Sequence, residues 1–431
     1  MARPKKDSQI EWIGEIPSAW EIKRLKAIFL ERKEKNDPLK TDFILSLGVN
    51  YGVVPYAEKE GGGNKAKEDL TDYRLAYPND IVMNSMNIIS GSVGLSKYFG
   101  CVSPVYYMLY PRNPQYDVRY YCYLFQTKEF QRSLLGLGNG ILMKESSTGT
   151  FNTVRMRIPM EKLGVQGLPV PDQEEQRKIA DYLDEKCSEI DSVISSTEKT
   201  IEEYKDLKQS IIIGAVTRGV RGQRPMKDSG IEWIGCIPEE WDILVAFQLF
   251  DQVKCKNEGV VEQNLLSLSY GKIKRKSIDT IGGLLPESFD GYNIIEKDDI
   301  VLRLTDLQND HTSLRVGLSN ERGIVTSAYV TLRNHSKNLP LYLYYYLHSF
   351  DVCKGFYGMG GGVRQGLNWD GLKLMKIVVP PIEEQHEITA YLEEKTAALD
   401  ELIASKQRLL TELETYKKAV IYEYVTGKKE V

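Results

Sequence analysis

The sequence predicts an α+β protein in which two globular domains are joined by two long antiparallel coiled-coil helices, the whole forming an internal pseudo-two-fold repeat. Three observations predict it: a duplicated 15-residue motif, two proline-free stretches with a heptad seam, and short β-rich runs punctuated by turn signals.

The duplication comes first because it fixes the frame. Residues Lys6–Trp20 read KDSQIEWIGEIPSAW and Lys227–Trp241 read KDSGIEWIGCIPEEW, identical at eleven of fifteen positions and offset by 221. Weaker matches follow in the same order. Leu45-Ser46-Leu47 answers Leu266-Ser267-Leu268, Asp80-Ile81-Val82 answers Asp299-Ile300-Val301, and Val93-Gly94-Leu95-Ser96 answers Val316-Gly317-Leu318-Ser319. Each half closes alike, with Pro171–Gln176 (PDQEEQ) answering Pro380–Gln385 (PPIEEQ). Between these anchors the halves differ freely. A shared frame with divergent interiors suits a protein that reads two different things in the same way, although a duplication without functional consequence would leave the same trace.

The globular domains are placed at residues 1–171 and 219–379. Strands are expected at Asp80–Met83, Val105–Tyr110, Asp299–Leu302 and Ala328–Leu332, and helices at Tyr120–Leu135 and Leu341–Phe350. Trp12, Ile13, Pro17 and Trp20, with Trp233, Ile234, Pro238 and Trp241, read as structural packing at the start of each domain.

The helices are placed at 172–218 and 380–427. In the first, residues recur at alternating steps of four and three: Leu183, Cys187, Ile190, Ile194, Thr197, Ile201, Tyr204, Lys208, Ile211, Ala215. The second copy, offset by 209, reads Leu392, Thr396, Leu399, Ile403, Lys406, Leu410, Leu413, Lys417, Val420, Tyr424. Lys208 matches Lys417 and Thr197 matches Lys406 as polar interruptions. Each helix begins just after proline with acids in its first turns, which suits the helix dipole. About 45 residues at about 1.5 Å each make a rod of roughly 68 Å. If each domain sits at the start of its own helix and the seams pack together, the helices must run antiparallel with a domain at each end. Two readers so related would address inverted half-sites separated by a spacer.

Composition bounds the rest. The chain has 431 residues, 42% of them apolar and 27% charged with both signs, as in a globular protein with packed cores. No apolar run approaches the length of a membrane span, and no hydrophobic stretch follows the basic Met1–Lys6, so a cytoplasmic location without membrane association is expected. Six scattered cysteines form no C-x-x-C pair and four histidines show no ligand spacing, so no metal site is expected. The net charge of −4 hides a partition. Asp172–Thr217 carries twelve acids and six bases and Pro381–Thr426 ten acids and five bases, which leaves +7 on the remainder. Basic globular parts and acidic rods are the signs expected if the former touch phosphates.

Catalytic signatures are missing from the sequence. There is no G-x-x-x-x-G-K-[ST] phosphate loop, no Asn/Asp-Pro-Pro-Tyr/Phe run of amino-methyltransferases, and no P-D…(D/E)-x-K nuclease pattern. The glycine clusters Gly136–Gly140 and Gly358–Gly362 follow predicted helix rather than strand, so close backbone approach to DNA, or a loop, fits them better than a dinucleotide. The chain is therefore expected to be no enzyme and to bind no cofactor itself.

Candidate DNA contacts are polar and basic residues near these loops. They are Lys65 and Lys67, then Asn84, Ser85, Asn87 and Ser90 after the Asp80 strand, and Lys144 after the first glycine cluster. The second half offers Lys272, Lys274, Arg275 and Lys276, then Arg303, Asp306, Gln308, Asn309 and His311, then Arg364, Gln365 and Asn368. Arg and Gln are well suited to reading guanine and adenine edges, and lysine clusters to holding phosphate.

The IEWIGxIPxxW motif, the E-E-Q helix start and the head–rod–head–rod order resemble the type I restriction-modification specificity subunit over nearly the whole chain. The resemblance implies two target-recognition domains, each reading one half of a split DNA sequence, with the rods as a conserved spacer. It implies double-stranded DNA and two modification subunits as partners, with restriction subunits that translocate and cleave. S-adenosylmethionine and ATP would then be bound by those partners. The other reading is a coiled-coil scaffold or adaptor whose basic heads bind protein or RNA.

Overall fold

A computed structural model describes residues 3–49, 52–59, 65–140, 144–145, 151–152, 156–276, 288–307, 310, 314–359 and 366–431. The chain divides into two compact units, Met1–Thr197 with Arg408–Val431, and Glu198–Gln407. Each unit therefore holds one head, the first part of the long helix that leaves that head, and the last part of the other long helix.

The two heads are built from the same pieces in the same register. In the first, Lys5–Asp7 pairs with Glu15–Pro17, and Glu21–Arg24 pairs with Gly167–Val170. In the second, Met226–Asp228 pairs with Cys236–Pro238, and Asp242–Val245 with Lys376–Val379. Each head has a four-stranded antiparallel sheet: Phe29–Arg32, Tyr106–Pro111, Ile81–Asn84, Val93–Leu95 in one, and Phe250–Gln252, Val330–Asn334, Ile300–Leu302, Val316–Leu318 in the other. The expected strands are present. The expected helix Leu341–Phe350 runs Pro340–Val352, with proline in its first turn. The expected helix Tyr120–Leu135 is instead two, Val118–Gln126 and Lys128–Ser133. Thr127 breaks it: its backbone is extended (φ −69°, ψ 140°) and its hydroxyl accepts from the Phe130 N–H, starting a new helix.

The long helices span Gln173–Arg218 and Ile382–Val425. Asp172 caps the first by accepting the Glu175 N–H. Within each unit their two segments run antiparallel. In the first unit Lys417 bonds both carboxylate oxygens of Asp191 at 2.6 Å, and Tyr182 stacks on Tyr424 at 4.5 Å. In the second, Lys208 bonds Asp400 at 2.6 and 2.7 Å. Every seam position is buried or half-buried: Leu183, Ile190, Ile201, Leu392, Leu399 and Val420 are buried, while Ile194, Tyr204, Ile211, Ile403, Leu410 and Leu413 are half-buried. The two lysine interruptions are thus the matched half of two equivalent ion pairs, Lys208–Asp400 and Lys417–Asp191.

Each head closes its core on both helices. In the first unit Trp20, Phe125 and Phe130 share a core with Ile179, Leu183, Val420 and Val425. In the second, Trp241, Phe250 and Tyr346 share one with Ile212, Val216, Ile388 and Leu392. The Tyr120 hydroxyl donates to the Val425 carbonyl at 2.7 Å, and the equivalent Tyr342 hydroxyl lies 3.5 Å from the Val216 carbonyl. The first head thereby satisfies a carbonyl at the end of the helix arriving from the other half, which the helix itself leaves unpaired, whereas the single Tyr342 hydroxyl proton goes to the nearer Val378 carbonyl at 3.0 Å.

Candidate nucleic-acid interface

The duplicated motifs explain themselves at the helix starts. The second Glu of each E-E-Q run meets a tryptophan and an arginine. Trp20 Nε1 donates to Glu175 at 2.7 Å, and Arg3 forks onto the same carboxylate. Trp241 Nε1 donates to Glu384 at 2.9 Å, and Arg224 forks onto it in the same way. The Gln that follows serves the head: Gln176 accepts the Asp117 N–H and donates to Pro171, while Gln385 accepts the Leu339 N–H and donates to Pro380. Both long helices end on a glycine in left-handed conformation, Gly219 (φ +74°) and Gly427 (φ +67°), and each glycine abuts the tryptophan of its unit. Sequence reading treated these tryptophans as packing and did not see their acceptors; Arg3 and Arg224 lie at the common offset of 221, which was the available signal.

The frame's charges are also paired. Asp80 and the equivalent Asp299 are each buried to 1% exposure. Arg32, from the sheet edge, forks onto Asp80, and its guanidinium is held above its ordinary pKa chiefly by that bond. Asp299 is met by Arg333 from the neighbouring strand instead, with the same effect on the arginine.

Against this shared frame the candidate contacts fall into distinct groups. Lys65 and Lys67 are exposed in the first head. Asn84 and Ser85, expected in a polar stretch after the Asp80 strand, are interior: the strand runs through Asn84, which pairs with Tyr106. Asn84 accepts the Met86 N–H, and Ser85 Oγ donates to the Val105 carbonyl at 2.6 Å, so both side chains are spent on the backbone. Asn87 and Ser90 are half-buried beside the short 3₁₀ turn Ile88–Ser90. Lys144 is described only as backbone, paired with Asn152.

In the second head Lys272, Lys274, Arg275 and Lys276 are all exposed on or just after a hairpin strand, Leu266–Ser269 pairing with Lys272–Arg275. Tyr270 and Gly271 form its two-residue turn, both at positive φ, and Tyr270 is 76% exposed. Strand alternation puts Lys272 and Lys274 on one face and Ile273 on the other. Arg275 is tied to Glu321 by an ion pair. The matching hairpin of the first head, Leu45–Gly48 with Gly52–Pro55, carries no basic residue. Arg303 is half-buried against Asp310, and Asp306 is exposed at φ +56°. Asn368 is exposed and caps the short helix Trp369–Leu372, accepting the Gly371 N–H. Gln308, Asn309, His311, Arg364 and Gln365 lie outside the described residues. No group of three or more metal-ligating side chains occurs among the described residues, and no described helix is long and apolar enough to cross a membrane.

One further pattern was missed by the heptad reading. Val193 and Tyr416 in the first unit are 48% and 49% exposed, and Leu207 and Leu402 in the second are 47% and 46% exposed. Val193 answers Leu402 and Leu207 answers Tyr416 at the rods' own offset of 209. Each unit thus carries an equivalent pair of solvent-facing apolar side chains flanking the seam.

The fold and these sites define a class: two α+β heads, alike in frame and different in exposed loops, each packed on two antiparallel helix segments of its own unit. Residues 253–415 match the family described as the type I restriction modification DNA specificity domain. A putative type I restriction enzyme MjaX specificity subunit of Methanocaldococcus jannaschii is 24% identical, covering 97% of this chain and 96% of the relative. The MjaVIII specificity subunit of the same organism is also 24% identical, over 96% of this chain and 94% of the relative. A solved chain from work on complex assembly and conformational transition of the type I R-M system has the same fold, with a TM-score of 0.69 at 13% identity, covering 96% of this chain and 99% of that one. The chain is thus similar over nearly its whole length to type I restriction-modification specificity subunits.

Proposed function

We propose that the chain is the DNA sequence-specificity subunit of a type I restriction-modification complex, each head reading one half of a bipartite double-stranded target. The observation that carries this is the contrast inside the duplication. The four-stranded sheets of the two units share strand order and register, yet the hairpin that bears Lys272 and Lys274 in one bears no base in the other. The chain supplies specificity and no chemistry. Methyl transfer, translocation and cleavage belong to modification and restriction subunits assembled on it in the cytoplasm. Two copies of the modification subunit are supported by the equivalent apolar pairs Val193/Tyr416 and Leu207/Leu402, one pair per unit. Within the heads, 1–171 and 219–379, Lys65, Lys67, Lys272, Lys274 and Lys276 are the proposed phosphate contacts, and Arg303 and Asp306 face the base edges.

Exchange of residues Ile231–Val379 for the matching part of a relative tests it. With modification subunits co-expressed, sequencing of methylated sites should show one half of the target changed and the other half and the spacer intact. A change in both halves, or methylation without sequence preference, would refute independent reading. The adaptor alternative would give no methylation pattern that follows the exchanged head.

A further inference from the structure

Arg315 is fully buried, at 0% exposure, where the connection from Ile300–Leu302 returns to Val316–Leu318. Its guanidinium donates to the carbonyls of Arg303 at 3.0 Å, Thr305 at 2.9 Å, Asp306 at 3.3 Å, and Asp310. It also donates to the Tyr357 hydroxyl at 3.2 Å, which in turn donates to the Asp310 carbonyl at 2.9 Å. The Arg315 N–H is taken by the Asp351 carboxylate. Leu304 and Leu307 are buried to 1% and 0% exposure in the same segment.

A desolvated guanidinium is costly unless its donors are met, and here backbone carbonyls of one segment meet them. The cation and the segment therefore hold each other: moving any one of the four carbonyls leaves a buried donor unsatisfied. Lysine has three donors radiating from a point rather than five in a planar fork, so it cannot hold the same set.

The comparison with the first unit separates this device from the frame. The Arg303 N–H to Arg315 carbonyl bond (2.9 Å) is answered there by the Asn84 N–H to Ser92 carbonyl bond (3.0 Å), so Ser92 stands where Arg315 stands. The connection spans nine residues from Asn84 to Ser92 and thirteen from Arg303 to Arg315. The arginine thus accompanies the longer connection and is absent from the shorter one, although both sheets have the same strand order.

We infer that Arg315 is a positioning residue for base choice by the second unit: it fixes Arg303 and Asp306 for reading without touching DNA itself. This rests on the specificity function proposed above. The test compares Arg315→Lys and Tyr357→Phe in the full chain, co-expressed with its modification subunits, by sequencing methylated sites and measuring discrimination between the target and single-base variants. Arg315→Lys should lower discrimination about tenfold at one or more positions of one half-site, leaving the other half and the spacer unchanged. Tyr357→Phe removes one bridge and should relax the same positions less. Wild-type discrimination in both variants, or a uniform loss across both halves, would overturn the inference. Should Arg315→Lys fail to fold, Tyr357→Phe decides alone. A wild-type chain that yields no bipartite methylation pattern overturns the proposed function, and this inference with it; a wild-type pattern unmoved by the variants overturns this inference only.

Discussion

His348 gives the second unit a built-in sensitivity to acid. It lies on the Pro340–Val352 helix at 6% exposure, its Nε2 3.2 Å from Gln209 Oε1 on the first long helix and its ring 5.7 Å from that of Tyr344. Burial, helped by the nearby Lys208 ammonium, pulls its pKa down to about 4 from the ordinary 6.5. The folded unit therefore keeps a neutral imidazole that the unfolded chain would protonate. That stability is present above pH 6.5 and is lost as the pH falls through the window to about 4. Between pH 7.5 and pH 5 the loss amounts to about 2 kcal/mol, at about 1.36 kcal/mol per pKa unit. His348→Gln carries a neutral amide at both pH values, while the carboxylates that also titrate are common to both chains and cancel. Urea unfolding of wild type and variant at pH 7.5 and pH 5 is the assay. The wild type should lose about 2 kcal/mol more than the variant across that interval. An identical pH dependence in the two chains would mean that folding does not exclude the imidazolium, and the reasoning would fail.

Three further outcomes are expected. Glu384→Gln should destabilise the second unit by about 1–3 kcal/mol, because Glu384 is fully buried and Arg224 would lose its buried carboxylate and keep only Glu240 and the Arg218 carbonyl; Glu175→Gln should cost less, since Arg3 and Glu175 keep 26% and 20% side-chain exposure. Thermal melts of both variants check the order, and its reversal would show that burial does not set the cost. Lys208→Asp should cost about 1 kcal/mol and Lys208→Asp with Asp400→Lys should recover most of it, whereas a double variant no better than the single one would remove this pair from the determinants of helix register. Gly219→Ala should cost about 1–3 kcal/mol in a chemical melt, because a Cβ there meets Arg224, Glu384 and Trp241 at a backbone φ of +74°; an unchanged midpoint would contradict the packing described.

The duplication and the seam were legible because both are periodic signals, and periodicity survives without knowledge of partners. The lysines at Lys208 and Lys417 could be read only as interruptions, since Asp400 and Asp191, which pair with them, lie about 190 and 230 residues away in sequence. The break at Thr127 was hidden because an apolar pattern continues through it, while the stop is a local backbone choice. Asn84 and Ser85 read as candidate contacts because they are polar; their burial depends on the Met86 N–H and the Val105 carbonyl, which composition does not reveal. Arg315 was invisible for a related reason. A lone arginine in a loop looks solvated until the converging carbonyls are seen.

What is held constant between the units and what is allowed to vary follow a physical division. The junctions with the helices are duplicated bond for bond: tryptophan and arginine on a glutamate, glutamine on a neighbouring backbone, glycine at the helix end. A small displacement there would be carried along a stiff helix, so these contacts tolerate little change. One step further into the head, the requirement loosens. Asp80 and Asp299 both need a cation, but Arg32 and Arg333 answer from different strands, so the charge is kept and its source is not. At the sheet connections even the charge pattern is released, with Ser92 in one unit where Arg315 stands in the other. Variation thus grows with distance from the junctions. A reader of two unlike half-sites needs this gradient, because pose must stay fixed while the groups offered to the bases change.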